Sequence, residues 1–156
     1  MKKSRFSLND KDEALLALVK ETDHKILAAW AMDCATRVLP HFEQAFPDDR
    51  RPCAALHALQ DWIDTGRFSM KIIRTASLDA HAAAREVGAD TPARSAARAA
   101  GQAVATAHVP THAIGAAQYA LQAIHRASSD PDAVDNLAAE RAWQHQHLLL
   151  LREASV

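Results

Sequence analysis

The sequence predicts an all-α fold: one domain, an antiparallel helical bundle of about six to seven helices with an alanine-rich central hairpin. Three observations lead there. Apolar residues recur at a period near 3.6 almost throughout, and no window alternates apolar with polar long enough to make a sheet. Alanine supplies roughly a fifth of the chain, well above ordinary usage, and such small side chains let helix axes approach closely. Pro52, Pro92 and Pro131 stand at helix starts and Gly66 and Gly88 just past helix ends, leaving short connections. At 156 residues the chain can bury a core without disulfide or metal staples. The expected domain is the whole chain, with its core from about residue 10 to residue 152.

The elements follow in order. A first short helix is expected from about Asp10 to Lys20, capped by Asn9 or Asp10, with Asp12 and Glu13 in its first turn. Asp23 caps a second, whose Ile26, Leu27, Trp30, Cys34 and Val38 form one stripe; it should end or kink near Pro40, with one more turn in "HFEQAFP". A third runs from Pro52 to Asp64 with Leu56, Leu59 and Ile63 inward. Ser69 caps a fourth, reaching about Val87, with Ile72, Ile73, Ala76, Ala80, Ala83 and Ala84 as its apolar face. A fifth opens at Pro92 and should stop near His108, because the residue before Pro110 is turned away from helical angles. Pro110 is expected in the first turn of a sixth, and a seventh runs from about Pro131 to Glu153. The fifth and sixth carry Ala97, Ala100, Gly101, Ala113, Gly115 and Ala117, which places them centrally.

Composition excludes several function classes. Lys plus Arg is 18 and Asp plus Glu 19, a formal charge of −1 with a pI near 6.7, so no footprint for duplex nucleic acid or an anionic membrane is expected. The basic N-terminus is not followed by an apolar run, and the expected location is cytoplasmic. Cys34 and Cys53 have no zinc-ligand or CxxC spacing; Cys34 belongs to an apolar face, whereas Cys53, after Arg50 and Arg51 at a helix start, has only a weak setting for a thiolate.

The pair in "HVPTH", His108 and His112, raises the question of metal. A zinc peptidase needs H-E-x-x-H on one continuous helix with glutamate as base; here Val109 replaces the glutamate and Pro110 breaks the helix. A third ligand such as His81 or Asp33 would have to come from elsewhere. The alternative is a buried polar cluster or pocket of Trp30, Asp33, His81, His108 and His112, with His108 pointing into the core and Trp30 covering it as an indole N–H donor. Ser77, His81 and Arg85 follow one another at four-residue intervals beside the alanine face. No nucleophile elbow or glycine-rich oxyanion loop accompanies Cys34 or Ser77, so no catalytic residue, metal or cofactor is assigned. On the last helix Val134, Ala138, Ala142, His145 and Leu149 form a candidate stripe, with Trp143, His147, Leu150 and Leu151 on another side, an arrangement that would suit a homodimer.

The segments "AAWAMDCATRVLPHFE", "DDRRPCAALHALQDWI", "DAHAAAREVG" and above all "ARAAGQAVATAHVPTHAIGAAQYA" resemble the all-α immunity-protein family of bacterial polymorphic toxin systems, in matching order over roughly Asp23 to Ala127. The resemblance implies a small bacterial protein that binds and blocks a cognate toxin without enzymatic activity. It supplies no catalytic residues. A helical protein that binds a small molecule or metal through the His81, His108 and His112 region is the second reading. Tight inhibitors rely on charge and shape complementarity, and the nearest acidic candidates, "NDKDE" and "SDPDAVD", are read as capping clusters.

Overall fold

A computed structural model of the chain describes residues 5–155. They form seven helices, α1 (Glu13–Lys20), α2 (His24–Ala45), α3 (Arg51–Thr65), α4 (Met70–Glu86), α5 (Pro92–Ala105), α6 (His112–Ala127) and α7 (Ala133–Ala154), with no strand among the described residues. One buried cluster draws side chains from every helix, from Val19 in α1 to Leu148 in α7, as expected of a single all-α domain.

Residue pairings give the topology. Across α4 and α5, Ala84 meets Arg94, His81 meets Arg98 and Ser77 meets Gly101, so the two helices run antiparallel. Across α5 and α6, Ser95 bonds Gln122 and Arg126 while Gln102 bonds His112, again antiparallel. α5 is the centre and packs against α2, α3, α4 and α6. Ala93, Ser95, Ala96, Ala97, Ala99, Ala100, Gly101, Ala103 and Val104 of its residues are buried. Alanine loses no rotamer entropy on burial and takes little width, which is how one short helix can be enclosed by four others. The large side chains that fill the remaining core, Trp30, Phe42, Leu59 and Leu148, come from the surrounding helices.

The helix ends follow local chemistry, with several departures from expectation. α1 starts later than predicted because Asp12, not Asn9 or Asp10, is its cap: the carboxylate accepts from the Ala14 and Leu15 amides. α2 does not end at Pro40 but runs on to Ala45. Pro40 and Thr36 are both exposed, so water can satisfy the Thr36 carbonyl that proline leaves without an amide partner. Gly66 closes α3 with φ 69° and Gly88 follows α4 with φ 79°, left-handed positions that glycine tolerates. Ser69 caps α4 as predicted, through its hydroxyl and the Ile72 amide, but Ile72 itself faces solvent. α5 stops at Ala105, short of His108, and Pro110 lies in the turn before α6 rather than in its first turn.

α7 departs most. Val134, Ala138 and Ala142 of the predicted stripe are exposed. The buried stripe is instead Ala133, Leu137, Glu140, Gln144 and Leu148, seated on α2 and α6. Two of its five members are polar, which is why apolar periodicity points to the wrong side.

Candidate functional site

The five residues expected in one cluster separate into two groups on different helix pairs. His81, His108 and His112 gather where α4, α5 and α6 meet, whereas Trp30 and Asp33 belong to the seam between α2 and α7. In that seam the Trp30 indole N–H donates to the Gln144 carbonyl at 2.8 Å, and Asp33 lies 2.7 Å from His147 Nε2. The His147 ring stacks on Trp143 at 4.6 Å, the Arg37 guanidinium lies 3.9 Å over the other ring system, and Arg37 forks onto buried Glu140 at 2.7 to 3.0 Å. Asp33, Arg37 and Glu140 are therefore spent within the protein, and none reaches the histidines of α4 and α6. Cys34, in the same seam, is fully buried; burial, then the Glu140 and Asp33 charges, push its thiol well above the usual range, so it packs as a small hydrophobe.

At the α4, α5 and α6 corner two glycines make the room. A Cβ on Gly101 would lie 2.7 Å from His81 Nε2, so the imidazole of α4 rests directly on the backbone of α5. The Ser77 hydroxyl donates to the Gly101 carbonyl at 3.0 Å, pinning the same contact from the next turn. A Cβ on Gly115 would lie 2.7 Å from Gln102 Oε1, and that oxygen accepts from His112 Nδ1 at 2.9 Å. One glycine thus admits the side chain of α4 into α5, and the other admits that of α5 into α6.

His81 is half-buried, and Arg98 Nη1 donates to its Nδ1 at 2.9 Å. Burial, followed by the charges of Arg98 and Arg85 and by His112, pushes its pKa down to about 4, so it is a neutral acceptor near pH 7. His112 is shifted down by burial and by His108. His108 does not point into the core: it is exposed and its ring stacks on Phe68 with centroids 6.1 Å apart. The reason is the early end of α5, which leaves His108 on the turn instead of on the buried face continued from Gly101 and Val104. Beside it lies a groove of about 400 Å³ lined by Met70, Ile73, Arg74, Leu78, His108 and His112, among others.

Among the described residues no three His, Cys, Asp or Glu side chains are placed to hold a metal ion. At His81 the ring nitrogen facing outward is occupied by a guanidinium, which opposes a second cation. Cys53 has Arg50 Nη2 at 3.4 Å and His57 Nε2 at 3.7 Å, an exposed local contact on α3 remote from the groove. Sequence reasoning missed Arg98, Gln102 and Phe68 at this corner. Only the two glycines inside α5 and α6 signalled it, since each marks a place where a neighbour's side chain must enter.

The family described as "Imm-5 like putative immunity protein" matches residues 17–150. The chain belongs to that family. The match spans five helices completely, α2 to α6, with the second half of α1 and α7 as far as Leu150, so membership of the immunity-protein family covers the corner and the seam alike. No curated protein and no solved structure matches the chain. As an immunity-family protein it has a general role in protection, and a protein partner in general is what such a role implies. No helix of the described residues is long and apolar enough to cross a membrane.

Proposed function

We propose that the protein is a non-enzymatic binder that neutralises a cognate bacterial toxin in the cytoplasm of the cell that makes both. The observation that carries this reading is the family match over residues 17–150. The helices around α5 suit the task. An interlocked alanine core holds surface side chains in place before a partner arrives, which lowers the ordering cost of association. Binding by a preformed surface needs no cofactor and no reacting group.

The test is co-expression. A toxin domain from the adjacent reading frame should arrest growth when expressed alone, and this protein should restore growth and co-purify with the toxin as a stable complex. Persistent arrest, with no complex at micromolar concentrations, would overturn the proposal.

A further inference from the structure

The groove along α4 has a charge that the whole-chain balance conceals. At 100° per residue, Met70, Arg74, Ser77, Leu78, His81 and Arg85 share one side of α4, while Asp79 and Glu86 lie on the other. Glu86 is drawn away to Arg51 of α3. The groove side therefore carries Arg74 and Arg85 without a carboxylate among them, and Arg98 joins them from α5. Elsewhere Arg37, Arg50, Arg51, Arg94 and Arg126 all sit in ion pairs. By contrast, among the described residues Arg74 has no ion pair, and Arg98 bonds the side chain of His81, which that guanidinium helps to keep neutral. Arg74 lines the groove beside exposed apolar groups: Met70 and Leu78 are 43% and 53% exposed, and Phe68, stacked on the groove's His108, is 47% exposed.

We propose that this groove is the toxin-docking surface, and that its occupant is an acidic segment of the toxin domain. Such a segment would place one aliphatic or aromatic side chain in the 400 Å³ groove over Met70, Ile73 and Leu78, with a flanking carboxylate on Arg74. The inference rests on the toxin-binding function proposed above. Charge complementarity selects the occupant. A second copy of this chain docked through the same face would set Arg74 and its neighbours against themselves across a two-fold axis. Nucleic acid is the poorer fit, because the groove floor is aliphatic and the one aromatic ring at its edge, Phe68, is already stacked on His108.

The probe is a catalytically inactivated toxin domain from the adjacent reading frame, titrated calorimetrically into wild type and variants whose thermal unfolding matches it. Arg74→Glu and Leu78→Asp, both at exposed positions, should each weaken binding by about tenfold or more, and Arg74→Glu should also flatten its salt dependence. Arg74→Gln should fall between Arg74→Glu and wild type. Val134→Asp, on the exposed side of α7, should bind as wild type does. If Arg74→Glu and Leu78→Asp bind unchanged, the docking surface lies elsewhere while toxin binding stands. If wild type itself fails to bind, both readings fall. A fluorescein-labelled 20-mer RNA, at about 20 nucleotides long enough for several phosphate contacts, should show no Arg74-dependent binding. RNA binding lost in Arg74→Glu with toxin affinity intact would overturn the assignment.

Discussion

Gly101 and His81 act as one unit, and substitution at either should be felt at the other. A methyl group at Gly101 meets an imidazole 2.7 Å away that is held on its far side by Arg98 and cannot swing aside freely. Gly101→Ala is expected to cost about 1–3 kcal/mol from overpacking, partly offset by about 1 kcal/mol of better helix propensity. Gly115→Ala meets only the flexible end of Gln102, so it should be near neutral in stability while releasing His112. Urea denaturation of both variants checks the contrast. Adding His81→Ser to Gly101→Ala should recover most of the loss, a coupling that a double-mutant cycle reads directly.

His81 also gives stability a pH dependence of known sign. Its native pKa is about 4 against an ordinary 6.5, so between those values the unfolded chain binds a proton that the native protein refuses. Its contribution is complete above pH 6.5, is lost as pH falls toward 4, and changes no further below that. His112, shifted in the same direction, adds to the slope. Urea midpoints measured from pH 7.5 to 4 should fall more steeply for wild type than for His81→Gln, and equal slopes would remove this residue from the account.

At the scale of elements, α4 and α5 were legible and α7 was not. For α5 the alanine period, the opening proline and the embedded Gly101 all agree, and no polar group interrupts its buried face except Ser95. α7 hides its inward face behind Glu140 and Gln144. Glu140 is buried because Arg37 of α2 satisfies it, and Gln144 because its side-chain amide donates to the Ala117 carbonyl of α6, while its main-chain carbonyl receives the Trp30 indole. Such pairs depend on which helix lies opposite, which a single helix's period does not reveal. The seam should therefore respond to charge removal. Arg37→Met leaves a carboxylate buried without its cation, at a cost of about 1–3 kcal/mol given that Arg37 is partly exposed, whereas Arg37→Met with Glu140→Leu should return close to wild type. Denaturant midpoints of the single and double variants check this, and an equal loss in both would mean that packing, not charge, is what the pair supplies.

Over the whole molecule, the fold class, the helix count and the central hairpin were readable because they depend on short-range pattern. The site was readable only in part. Of the five residues expected in one cluster, the turn at Pro110 brings His81, His108 and His112 to one corner. Attaching Trp30 and Asp33 to it failed because α2 presents that side to α7 and not to α4. The local charge of the groove was hidden as well, because acidic groups elsewhere in the chain balance it to −1 overall.

The division of labour within α4 has a consequence for how such a protein can change. Only Ile73, Ala80, Ala83 and Ala84 of this helix are buried, and they face inward together. Its outward positions carry little of the fold's stability, so they are free to be rewritten one after another without disturbing the alanine core beneath. A lineage meeting a new antagonist would not need a new architecture, only a new set of outward residues on the same helix.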